Sequence, residues 1–298
     1  MVLMLPQELY AGMEYARMRV AERWASLAVV SLVLGQAGMA QSSAPRPAIS
    51  PNELLRAVIA NELRPTSDAD HWMYEVEKEE DGKKQFKEVV QTREGTLERL
   101  IATDGRVLSF AKQQEEAIRI ENLVKNTQER QRLEELRKKD AKECEAFLRM
   151  IPDAFLFTYQ GQEGGFAKLS FKPNPSFQPS SRAAHVLHAM EGEILVQSKE
   201  QRLAAINGRL VEDVKFGGGL LGHLDKGGTF SVRRTALGPA QWMLIAMDVN
   251  MNGKALFFKT IAVQQKEYRH NFRKLPDDLT LTDAAHILTN HVTLAANQ

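Results

Sequence analysis

Apolar positions recur along this chain with two different spacings, and the switches between them divide it into segments. Leu54, Leu55, Val58, Ile59 and Leu63 recur at helical spacing. Ser50-Pro51-Asn52-Glu53 opens that helix: Ser50 can cap, Pro51 suits the first turn and Glu53 holds the capping-box position. Pro65 ends it. Trp72, Tyr74 and Val76 then alternate with more polar neighbours, as in a strand. Asp81-Gly82 reads as a hairpin turn into a second strand over residues 86–91, and a third over 96–102 ends at Asp104-Gly105, another hairpin signal.

Over residues 112–150 the pattern changes. Gly and Pro are absent, Glu, Lys, Arg and Gln are dense, and Glu134–Lys138 and Glu135–Lys139 are spaced to support a helix. Apolar residues gather near the ends: Ile120, Leu123 and Val124, then Leu133, Leu136, Phe147, Leu148 and Ile151. None lies in residues 125–132. Two amphipathic helices, or one long helix exposed in its middle, fit this equally. A coiled coil is a further alternative, although the a/d repeat is not sustained.

After Pro152 strand alternation returns and continues to about residue 274. Phe155 and Phe157, then Ala167, Leu169 and Phe171, then Ile206, Leu210, Val214 and Phe216 mark faces of strands. Residues 242–249 and 255–263 flank Asn252-Gly253, which reads as the clearest hairpin turn in the chain. Thr282-Asp283 caps a short last helix with Ala284, Ala285, Ile287 and Leu288 inside. Helix, strands, a long helical segment, many strands and a short helix make an α+β fold with a large antiparallel sheet, not alternating βαβ units. Such a sheet must cover one apolar face, and the helices are the available cover.

The N-terminus changes the compartment. Arg17, Arg19 and Arg23 precede an apolar run over residues 24–34, and Gly38-Met39-Ala40 supplies small residues for cleavage after Ala40. The run is shorter than the roughly 20 residues of a spanning helix. Residues 1–40 therefore read as a signal peptide, 41–50 as a Ser/Pro/Ala linker, and 51–292 as one α+β domain with a helical insertion at 112–150. The expected location is the periplasm, with no transmembrane segment in the mature chain.

Composition narrows the partners. Lys+Arg is 39 and Asp+Glu 38, a net charge of +1, which gives no global attraction to nucleic acid or an anionic membrane. The single cysteine, Cys144, excludes an intrachain disulfide and a Cys-rich metal site. His185 and His188 lack the company of a metal motif. The glycines from Gly217 to Gly222 run into another strand rather than a helix, so they read as a bend and not a phosphate cradle. No GxSxG elbow is present. No reaction, metal or cofactor is expected. What accumulates is apolar side chains on long strands. Phe157, Leu169, Phe171, Phe216, Phe230, Trp242 and Phe258 are candidates either for plain core or for the lining of an acyl-chain cavity.

The exported N-terminus, the helix before the strands, and the block Met190-Glu191-Gly192-Glu193-Ile194-Leu195-Val196, residues 202–216, Trp242, Asn252-Gly253 and residues 254–261 carry a resemblance. In these the chain resembles the LolA/LolB/RseB-like superfamily of periplasmic lipoprotein-handling proteins, mainly over residues 155–275. The charged helical insertion departs from that family. More narrowly, residues 216–230 (FGGGxLGxLxKGxxF) resemble uncharacterised exported bacterial proteins. The resemblance implies a curved antiparallel sheet, an open half-barrel covered by helices. It implies a non-catalytic binding protein that carries or senses a lipid or a lipoprotein acyl chain. The alternative is an interaction or sensory module of the cell envelope, with the insertion as the docking arm for a protein partner.

Overall fold

The structure is a computed structural model that describes residues 49–64, 71–219, 221–238, 241–255 and 259–295. The expected signal peptide and most of the linker lie outside the described residues.

Helix α1 (Pro51–Glu62) starts as its sequence demands: the Ser50 hydroxyl accepts from the Glu53 N–H and the Glu53 carboxylate accepts from the Ser50 N–H. Strands β1 (His71–Glu80), β2 (Lys83–Thr92), β3 (Gly95–Thr103) and β4 (Arg106–Val107) form a meander. Asp81 and Gly82 turn with positive φ, and so do Asp104 and Gly105, the backbone of a tight hairpin. The charged segment forms two helices, α2 (Phe110–Lys125) and α3 (Thr127–Ala154). They break at Asn126, whose side chain accepts from Glu129 N–H and caps the second helix. Residues 125–132 hold no apolar side chain to bury, so the chain can bend there without exposing core.

Next come β5 (Phe155–Glu163), β6 (Phe166–Pro173), a short helix α4 (Arg182–His188), β7 (Met190–Gln197) and β8 (Arg202–Leu210). Helix α4 departs from the unbroken strand pattern expected after Pro152. Ser181 caps it, and Ala184, Val186 and Leu187 are its buried face. The strands β9 (Val214–Phe216) and β10 (Gly222–Leu224) flank the glycine bend, where Gly217, Gly218 and Gly219 all have positive φ. Then β11 (Thr229–Gly238), β12 (Gln241–Ala255) and β13 (Lys259–Leu275) lead to α5 (Leu281–Ala295).

Two local expectations are corrected. Asn252-Gly253 is not a turn. It lies inside β12, paired to Ala262 and Ile261 of β13, and Gly253 also faces Leu224 of β10. A Cβ on Gly253 would sit 2.2 Å from the His223 carbonyl oxygen, so the glycine serves a close strand approach. The last helix is capped by Thr280, two residues earlier than expected, through reciprocal bonds with Asp283.

The strands make one 13-stranded sheet in the order β4-β3-β2-β1-β13-β12-β11-β8-β7-β6-β5, with β9 and β10 attached beside β12. Neighbours are antiparallel and the terminal strands β4 and β5 do not meet, so the sheet is open. Helices α1, α4 and the end of α3 pack on one face over β5–β8, burying Leu55, Val58, Ile151 and Leu187 against Phe155, Leu169, Ile194 and Met247. A second core joins α5 and α2 to β1–β3 through Ile120, Leu288, Val90 and Leu97.

Candidate functional site

Directly paired residues of antiparallel strands share a sheet face. One row can therefore be followed across the sheet. It runs Leu169, Ile194, Ile206, Val232, Met247, Glu267, Lys78, Gln85. This row changes character at β13: apolar from β6 to β12, charged and polar from β13 to β2, beside a small apolar cluster of Tyr74, Val76 and Val89 on the same face. The charged end is nonetheless buried, with Glu267 at 1%, Lys87 at 3% and Lys78 at 6% exposure. Buried charges persist only when paired. Glu267 takes Arg269 at 2.6 Å, Lys78 meets Glu80 at 2.7 Å, and Lys87 lies 3.6 Å from Glu98. Arg269 also sits over the Tyr74 ring, 5.5 Å from its centre. Burial pushes the Tyr74 phenol above its ordinary pKa. Burial also opposes the charge on Arg269, but Tyr74 and Glu267 outweigh it and hold its pKa above the usual value.

Lys87 and Glu98 are part of the floor of a cleft of about 880 Å³ at the β3 edge. Helices α2 and α3 form its walls through Glu116, Arg119, Asn122, Arg130, Leu133 and Arg137. The walls neutralise themselves: Arg119 pairs with Glu116 at 2.8 Å, Arg132 with Glu129 at 3.0 Å and Arg137 with Glu134 at 3.5 Å. Glu116 also accepts from Leu100 N–H, tying α2 to β3. Burial raises the Glu116 pKa, but the Arg119 bonds and charge and the Leu100 N–H prevail and hold it low. Val107, Phe110 and Ile118 are 69%, 67% and 57% exposed, the most exposed large apolar side chains among the described residues, and Ile118 lines the cleft.

The residues singled out from sequence fall elsewhere. Phe157, Leu169, Phe171 and Phe230 belong to the main packed core, and Phe216 packs at its margin. Phe155, Phe157 and Phe171 stack there as one aromatic group, with centroids 4.7–6.4 Å apart. Trp242 is buried, and its indole N–H donates to Glu200 at 2.8 Å. Phe258 lies outside the described residues. Phe171 alone of the seven also borders a described cleft, a shallow groove of about 810 Å³ on the opposite face. Cys144 packs against the main core.

Sequence reasoning missed the buried charges, although parity carried a signal. Lys78 continues the in-facing series Trp72, Tyr74, Val76, and Lys87 is two residues from Val89. Arg99 is likewise buried, and it donates to the Leu288 carbonyl on α5. No group of three or more potential metal ligands occurs among the described residues. No described helix is long and apolar enough to cross a membrane. Compared with known proteins, the chain matches no family model, no curated protein and no solved structure.

Proposed function

We propose that this is an exported, non-catalytic binding module of the cell envelope that docks a protein partner along helices α2 and α3. The observation that carries the reading is three strongly exposed apolar side chains on the adjoining segments β4 and α2, Val107, Phe110 and Ile118, of which Ile118 lines the cleft. Exposed apolar surface of this kind, rimmed by polar residues, is what a protein-interaction site presents. The cleft walls pair their own charges, so they offer a small ion little net attraction. Mixed polar walls around apolar anchors suit a protein surface, whose contacts are an apolar centre with a polar rim. The test is site-specific photo-crosslinking from position 118 in intact cells, with position 193 on the far part of the sheet as control. A partner captured at 118 alone, binding the purified protein one to one and weakened at least tenfold by Phe110→Asp, is expected. Equal capture at both positions, or binding indifferent to Phe110→Asp, would overturn the reading.

A second reading, acyl-chain carriage in a LolA-like half-barrel, is favoured by the apolar half of the sheet face lying under helices rather than under another sheet. In it α1, α3 and α4 act as a lid over Leu169 and Phe171. Saturable binding of a fluorescent fatty acid to the wild-type protein supports it. Flat titration up to the solubility limit of the probe sinks it.

A further inference from the structure

The two ends of the sheet are treated differently. At one end, β4 is two residues long, and α2 and α3 line a cleft with the neighbouring β3. At the other end, β5 is nine residues long and pairs only with β6 among the described strands. Alternate residues of such a strand turn their N–H and C=O groups away from the sheet. Natural edges are commonly blunted by lysine, proline or inward-pointing charge. Residues 155–162 have none of these. Leu156 is 40% exposed, and Thr158 and Gln160 are exposed beside it. The only irregularity is a bulge between Tyr159 and Gly161, which leaves 155–159 as a regular stretch.

That stretch, Phe155-Leu156-Phe157-Thr158-Tyr159, is close to palindromic in chemistry about Phe157. We infer that the β5 edge pairs antiparallel with β5 of a second copy of this chain, about a two-fold axis at Phe157. In that register Phe157 lies opposite Phe157 of the second copy, Phe155 opposite Tyr159, and Leu156 opposite Thr158. Aromatic residues then meet aromatic residues on one face. On the other, an exposed leucine meets a β-branched residue, the cross-strand pairing that favours sheets. The absence of charge permits self-pairing without like-charge contact, and it gives a charged foreign peptide nothing to select. The nearest charge before the strand, Asp153, is engaged with Arg56 at 2.5 Å. The groove on the exposed face, lined by Leu156, Thr158, Ser170 and Asn207, continues the surface to the strand edge. A two-fold pair is also the commonest closed arrangement of identical chains. This inference does not depend on the partner-docking reading, which uses the other end of the sheet.

The experiment is light scattering on the purified protein beside the double variant Leu156→Lys/Thr158→Lys. Both positions face solvent in a single copy, so the lysines protect the edge without entering the core; circular dichroism checks the fold. Twice the chain mass for wild type, and the single-chain mass for a folded double variant, are expected. The variant Leu156→Cys/Thr158→Cys should form a disulfide-linked dimer on oxidation, which fixes the register. A wild type that stays at single-chain mass up to 100-fold above about 1 μM, the concentration of an 8 kcal/mol association, overturns the inference. So does a dimer that survives the two lysines, or one that the paired cysteines do not link. If a foreign extended peptide occupies the edge instead, wild type is a single chain whose peptide binding the lysines abolish, and the second copy is excluded.

Discussion

Single residues in this protein are decided by what lies within a few ångströms of them. Glu62, at the end of α1, is 5% exposed and meets Arg234 at 2.7 Å and Arg202 at 3.5 Å, while it accepts from Leu203 N–H. Arg234 also donates to the Leu203 and Trp242 carbonyls, so one carboxylate fastens α1 to β8, β11 and β12. Glu62→Ala leaves two buried guanidinium groups short of a counter-charge and should cost about 3–5 kcal/mol, measured by urea unfolding. Gly253 illustrates a steric demand. Gly253→Val places a branched Cβ against the His223 carbonyl, and should displace β10 and speed exchange of the Asp225 amide, which donates to the Asn252 carbonyl at 2.8 Å. Unchanged exchange at Asp225 would show that β10 yields without cost.

Elements are held by caps and by tethers to the sheet. Thr280→Ala removes the hydroxyl that accepts from Asp283 N–H and should destabilise by about 1 kcal/mol, read as a lower thermal midpoint. The Thr280 side chain and backbone bonds hold the Asp283 carboxyl below its ordinary pKa. Glu116 is held low as well, through Arg119 and Leu100. A carboxylate depressed in the folded state contributes stability that is present above its unfolded pKa and is lost as pH falls through the folded one. Both α5 and α2 should therefore loosen on the acid side of about pH 4, the ordinary carboxylate range. Amide exchange at Leu100 and Asp283 should rise there before the strands of the main core open. Glu116→Gln should flatten the response at Leu100 and leave that at Asp283 in place. If both vary together, the two helices unfold as one unit.

On the scale of the whole molecule, one open sheet carries three apolar clusters among the described residues, and the row from Leu169 to Gln85 passes from apolar to charged. The apolar half is a conventional packed interior. Leu169 is fully buried in it, and Leu169→Ala should cost about 2–5 kcal/mol in the urea midpoint. The charged half buries a phenol beside a guanidinium. Tyr74 has its pKa raised, so its ultraviolet ionisation should come late, above the ordinary phenol range of about 10. Tyr74→Phe should remove the late phase alone. A raised phenol pKa also means that Tyr74 favours the folded state below its unfolded pKa and ceases to do so as pH passes the folded one.

The sequence by itself determined what depends on neighbours in the chain. The capping box at Ser50, the Asp-Gly turns, the helical character of residues 112–150 and the antiparallel class follow from local geometry and from period, which act over a few residues. The break at Asn126 falls inside the stretch without apolar residues, although period did not choose between one helix and two. Tertiary structure alone decided the rest. Asn252-Gly253 has the chemistry of a turn, yet strands on both sides hold it extended, because partners remote in sequence supply its hydrogen bonds and β10 needs its missing Cβ. Phe157, Leu169 and Phe171 read first as core and second as a cavity lining, because alternation reports a buried face and not what lies against it; α1 and the end of α3 do. Lys78, Lys87, Glu267 and Arg269 drew no notice in the sequence, and they are interior because strands that are far apart in the chain stand side by side in the sheet.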